Sequence, residues 1–158
     1  LRVVMLISEI ITQKLVLALN NISSKKRLFQ EIATHMALDS SVNPETIVTA
    51  LQDREQLGPT GMGNGIAIPH ARIDSISSIK GMFIRLEKPI NFDSIDKQKV
   101  DLIFSILAPI DSGVDHLKAL AKVSRLLRDQ NICSKLRSTT DITALYSILT
   151  QDWDIKAA

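Results

Sequence analysis

Gly58-Pro59-Thr60-Gly61-Met62-Gly63-Asn64-Gly65-Ile66-Ala67-Ile68-Pro69-His70-Ala71-Arg72 is the stretch that decides the reading of this 158-residue chain. Four of the chain's six glycines fall between positions 58 and 65, so the spacing predicts a loop with backbone conformations closed to other residues. The GxGxG pattern does not follow a strand and open a helix, which removes the dinucleotide-binding reading, and no Lys-Ser or Lys-Thr follows, which removes the P-loop. Ile66 to Ile68 reads as a short strand ended by Pro69, and His70 stands directly behind it. A histidine held at a strand end is fixed at its backbone and can present its ring. A neutral imidazole, with an unperturbed pKa of about 6.5, is a competent nucleophile near pH 7. On these residues alone, an irregular loop carrying an ordinary surface histidine remains open.

Upstream, Leu15 to Leu19 is a short apolar run and reads as a buried strand. Ser23 or Ser24 offers a helix N-cap, and Leu28, Ile32, Ala33 and Met36 give Lys25 to Leu38 an amphipathic period. Lys25-Lys26-Arg27 is read as a solvated face at that helix start. Asn43-Pro44 is a second start signal, with Ile47, Val48 and Leu51 as apolar face, and the helix ends near Gln56 before Gly58-Pro59.

Downstream, Lys80 to Glu87 and Val100 to Ala108 read as strands, with Pro89, Asn91 and Asp93 to Gln98 as the connection. From Asp115 the period returns to 3.6. Leu117, Leu120, Ala121 and Leu127 are expected on one face, Asn131 marks the exit, and short helices follow over Ile132 to Leu136 and Asp141 to Leu149. Gln151 to Ala158 is expected to fray. The order predicts an α/β fold: one domain over 1–158, core about 7–150, with a mixed β-sheet flanked by helices.

Composition narrows the function. Apolar residues are 45% of the chain, and the net charge is only +2. With 4% aromatic residues and no long basic run, nucleic-acid binding is not expected. Cys133 is the only cysteine. An intramolecular disulfide is impossible, as suits a reducing compartment, and the neighbours Ile132 and Leu136 make it a core residue. The apolar start, Leu1 to Ile7, falls far short of the about 20 residues needed to span a bilayer, and no signal-peptide cleavage site follows. Met5 is a candidate natural start, which would make Leu1 to Val4 an upstream extension, and the start stays open on these residues. The three histidines, His35, His70 and His116, lack metal-ligand spacing, so no metal is expected and a zinc hydrolase is disfavoured. His35, inside a helix, is read as surface or structural.

The stretch Gly58 to Arg72 resembles the active-site segment of enzyme IIA domains of the phosphotransferase system, mannitol/fructose type. Within them the chain looks most like the nitrogen-regulatory enzyme IIA. The resemblance runs from about Ile7 to Thr150. It rests on Asp53-Arg54-Glu55, Ile68-Pro69-His70, Pro89-Ile90-Asn91-Phe92-Asp93, Val100-Asp101-Leu102-Ile103-Phe104 and His116-Leu117. It implies a cytoplasmic phosphotransferase that needs no cofactor and accepts a phosphoryl group from a histidine phosphocarrier protein. It also implies that His70 is the acceptor and that Arg54 and His116 line the site.

Gly61, Gly63 and Gly65 are then expected as a phosphate-binding loop, and Met62 and Ile73 as an apolar rim. The resemblance implies signalling to regulatory targets, among them potassium-transport and nitrogen regulators. A sugar-specific enzyme IIA passing the group to a IIB component is the alternative. No IIB or membrane segment is legible in these residues, which favours the regulatory reading.

Overall fold

The computed structural model describes residues 5–151. The expectations for Leu1 to Val4 and for Asp152 to Ala158 lie outside the described residues. After 3-10 turns at Ile7–Glu9 and Gln13–Leu15, the chain forms β1 (Val16–Leu19), α1 (Lys25–Ser40), α2 (Pro44–Gln56), β2 (Gly61–Gly63), β3 (Ile66–Ala67) and β4 (His70–Ile73). Then come β5 (Lys80–Ile90), β6 (Val100–Pro109), α3 (Val114–Arg128), α4 (Gln130–Arg137) and α5 (Ile142–Thr150). The sheet is mixed, in the order β1-β5-β6-β3-β2, and β4 pairs with β6 beyond β3. This is the α/β architecture expected.

The helix starts follow from local chemistry. Ser24 accepts from the Arg27 N–H, and Asn43 accepts from Glu45 N–H with Pro44 in the first helical position. Each cap satisfies a donor that the helix cannot. α1 and α2 pack together, α2 lies against β4, and α3 lies against β6. All four phenylalanines are buried in the core. Phe83 and Phe104 are cross-strand partners on β5 and β6, with rings meeting at 60° and 6.4 Å.

Several expectations are corrected. The glycine-rich loop contains a strand, β2, paired antiparallel with β3. His70 does not merely trail a strand: it opens β4. β3 and β4 run parallel to β6 one after the other, Ile66–Ala67 against Leu102–Ile103 and His70–Ile73 against Ile106–Pro109. Ile68-Pro69 interrupts what is otherwise one continuous strand beside β6, because proline has no N–H for the ladder. β5 runs on through Pro89 to Ile90. Pro89 lies within the register shift between Arg85 and Ile90, the kind of irregularity at which a strand tolerates proline.

The long helix breaks at Asp129, whose carboxylate caps α4 by accepting from Asn131 and Ile132 N–H groups, so Asn131 lies inside a helix. The buried stripe of α3 is His116, Ala119, Val123, Leu126 and Leu127. Leu117 and Ala121, expected inside, face out. The true stripe keeps the 3.6 period but begins with a histidine, and that masked it in the sequence.

Candidate functional site

His70 sits where the interrupted strand resumes. The Pro69 carbonyl accepts from Ile106 N–H at 3.0 Å and from the buried Ser105 Oγ at 2.9 Å, which anchors the break to β6. One residue earlier, the Ile68 carbonyl lies 2.8 Å from His70 Nδ1. A carbonyl only accepts, so Nδ1 carries the proton and Nε2 keeps its lone pair. Burial lowers the ring's pKa below the ordinary 6.5, the Ile68 bond opposes this, and the charges of Arg54 and Glu55 pull down and up respectively. His70 is therefore neutral at pH 7.

His116 occupies the first turn of α3 and is 5% exposed. Its ring meets that of His70 edge to face, with centroids 5.6 Å apart. Neither ring nitrogen has a hydrogen-bond partner among the described residues. Burial, then the positive charges available at His70 and Arg72, push its pKa down to about 4. Leaving a buried polar group unpaired costs about 1–3 kcal/mol, so a ligand that supplied an acceptor here would recover that energy.

Arg54 lies in the last turn of α2 and donates from Nη1 to the Gly58 carbonyl at 2.9 Å. With Thr60, Gly61, Met62, Leu120 and His70 it lines a hollow of about 290 Å³. The guanidinium keeps further N–H groups for a planar anion. Of the three glycines, only Gly61 lines this hollow. A side chain on Gly61 would run into Ser94 Oγ, and one on Gly63 would meet Asp96. One on Gly65 would meet Arg137 and Asp101. Gly63 and Gly65 also hold φ values of 91° and 82°, where a Cβ is strained.

Residues 9–152 match the family model described as the phosphoenolpyruvate-dependent sugar phosphotransferase system, EIIA 2. The chain belongs to that family of phosphotransfer domains. It is 44% identical over 143 residues to a nitrogen regulatory protein of Bradyrhizobium diazoefficiens, covering 90% of this chain and 94% of the relative. A nitrogen regulatory protein of Escherichia coli K12 is 43% identical over 129 residues, 80% of this chain and 78% of that one. Among solved structures, nitrogen regulatory protein IIA-Ntr of Neisseria meningitidis superposes with a TM-score of 0.86 at 35% identity, covering 91% of this chain and 99% of that one.

The EIIA fold thus brings His70 and Arg54 into one hollow and lays His116 against His70, although the two histidines lie 46 positions apart in sequence. Among the described residues no cluster of three or more His, Cys, Asp or Glu could hold a metal ion, and no helix is long and apolar enough to cross a membrane. His35 pairs with Glu31 one turn away on α1, at 3.2 Å. Cys133 is buried, donates to the Leu127 carbonyl, and has its thiol pKa raised by burial.

Two expectations about the surroundings hold only in part, with Lys26 and Arg27 exposed as read. Ile73 is buried, because alternation along β4 turns it inward two residues after Ala71, so of the expected rim pair only Met62 is exposed. Lys25 is not simply solvated: its ammonium lies 3.0 Å from Glu55 and 4.6 Å from the Phe92 ring centre. Thr60 and Ser124 line the hollow without having been singled out, since nothing in the local pattern marks a lone hydroxyl as facing a histidine.

Proposed function

We propose that His70 is the phosphoryl acceptor of a nitrogen-regulatory phosphorelay, and that its phosphorylation state is read by partner proteins. The observation that carries this is the Nδ1–H bond to the Ile68 carbonyl. It commits the Nε2 lone pair to nucleophilic attack in a ring held neutral at pH 7. In the step, Nε2 bonds to the phosphorus of a phosphorylated histidine phosphocarrier. The donor's N–P bond breaks, and its electron pair returns to the donor imidazole. The transition state is loose, with charge spread over three equatorial oxygens, so positioning and electrostatics do most of the work. Arg54 supplies a cationic fork, Gly61 a close backbone approach, and His116 an N–H otherwise without a partner.

The relatives are named nitrogen regulatory proteins, which supports regulatory output over delivery to a sugar-permease IIB component. The reading carries with it a cytoplasmic setting, no cofactor, and targets such as potassium-transport or nitrogen regulators. Incubation with phosphorylated carrier, followed by mass spectrometry, tests it. The expected result is one acid-labile phosphoryl group per chain, absent in His70→Ala. Uptake by His70→Ala at the wild-type rate would sink the proposal, and efficient transfer to a sugar-permease IIB protein would favour the sugar-specific alternative.

A further inference from the structure

Glu55 follows Arg54 in the chain, yet its side chain points away from solvent, only 7% exposed. A buried carboxylate survives only if its oxygens are satisfied. Here Oε1 accepts from Thr60 Oγ1 at 2.6 Å, while Oε2 accepts from Thr60 N–H at 2.9 Å and from Lys25 Nζ at 3.0 Å. Thr60 itself is 6% exposed. The carboxylate thereby closes a loop from the end of α2 to the start of β2, and Lys25 ties that loop to the first residue of α1.

Two backbone carbonyls of the closed segment reach the site. Gly58 C=O holds Arg54 Nη1. Thr60 C=O accepts from Ile68 N–H at 3.1 Å, and the carbonyl of the same residue, Ile68, accepts from His70 Nδ1. A continuous path of hydrogen bonds and one residue's backbone thus runs from Glu55 through Thr60 and Ile68 to the imidazole. Charge-assisted bonds such as those at Glu55 are the stronger kind, and supporting partners of this sort commonly fix a histidine's tautomer and orientation.

We infer that Glu55 is a positioning residue for phosphoryl transfer: through Thr60 it fixes the 57–60 turn, and with it both the His70 tautomer and the seat of Arg54. Glu55 does not line the hollow, so it positions through these groups without touching the phosphoryl group; its charge also raises the His70 pKa, and Thr60→Val, which keeps that charge, isolates the clasp. The inference rests on the reading of His70 as acceptor.

The test measures the ring nitrogens of His70 by NMR alongside the phosphoryl-transfer rate, in Glu55→Gln, Thr60→Val and Thr60→Ser. Circular dichroism serves as fold control. Wild type and Thr60→Ser should show the Nδ1–H tautomer. Glu55→Gln and Thr60→Val should show mixed tautomers and a rate lower by about three- to tenfold, the loss expected of one ordinary hydrogen bond. If Glu55→Gln fails to fold, the Thr60→Val and Thr60→Ser pair decides alone. Wild-type ring signals in the valine variant overturn the inference whatever its rate. Disturbed ring signals with an unchanged rate overturn it too, because the clasp then positions nothing the reaction uses. The acceptor reading fails separately, through uptake by His70→Ala.

Discussion

The imidazoles of His70 and His116 meet edge to face at 5.6 Å with their planes at 69°. Both have pKa values lowered from the ordinary 6.5, so the neutral form of each prevails at neutral pH. The pair is a neutral couple of which one member holds a fixed tautomer and the other lacks any hydrogen-bond partner among the described residues.

Folding stability should depend on pH through His116. Its unfolded ring takes up a proton near pH 6.5, and the folded one only near about 4. Between those values the unfolded state binds more protons, so stability is complete above pH 6.5 and falls as pH drops towards 4. The slope from one such group reaches about 1.4 kcal/mol per pH unit at its steepest. Urea unfolding from pH 4.5 to 7.5 should show a smaller pH effect in His116→Phe than in wild type. Equal pH profiles would mean that His116 is not buried neutral.

Phosphoryl uptake should be flat above pH 6.5 and decline only below it, since the His70 pKa is depressed and the nucleophile is the neutral ring. Single-turnover transfer from a phosphorylated carrier across this range measures it, with the carrier's own titration recorded separately. A midpoint above 6.5 would contradict the burial of the ring.

Arg54→Ala and His116→Ala should each slow transfer without unfolding the protein. A lost charge-assisted contact costs about 1.5–3 kcal/mol, about ten- to a hundredfold in rate. Arg54→Lys should recover only part of this, because an ammonium lacks the planar fork. Wild-type rates in both alanine variants would remove these residues from the reaction.

Gly61→Ala should destabilise the fold by about 1–3 kcal/mol, the range for overpacking a filled interior, because the new methyl collides with Ser94 Oγ. Ser94 Oγ is buried without a partner among the described residues. Ser94→Gly should therefore rescue Gly61→Ala, and denaturant titration of the double-mutant cycle would report the coupling. Simple additivity would show that the contact relaxes.

Signalling should follow charge, not refolding. Phosphorylation adds about −1.5 to −2 charges beside Met62 and Leu120, and burying that charge without a partner costs several kcal/mol. A partner that docks on the unmodified face should bind His70→Ala like wild type and His70→Glu more weakly. Equal affinity for all three would place the docking face elsewhere.

Much of the fold is written in local sequence, and the site is written there only in part. The starts of α1 and α2 are legible because Ser24 and Asn43 cap within three residues of themselves. β2 and β4 are not, because three or four residues become a strand only through pairing with β3 or β6. Asp129 looks like any helical acid until its carboxylate caps the next helix. His70 is visible from its setting behind Pro69. The burial of His116 is hidden, because a polar residue at the head of a core-facing stripe reads as an exposed one. Lys25, Glu55 and Thr60 meet only after three separate elements have packed.

The break at Ile68-Pro69 has a consequence for what the chain tolerates. Ala67 and His70 are both locked into β6, one on each side of the gap, so the distance between them is metered by Ile103 to Ile106. Strand side chains alternate faces with a period of two. One residue inserted into or deleted from the gap would shift β4 by half a period, turning Ala71 and Ile73 outward and burying the ring of His70. Drift in length can be absorbed in the surface loops, but between positions 67 and 70 the count of residues is as binding as their identity.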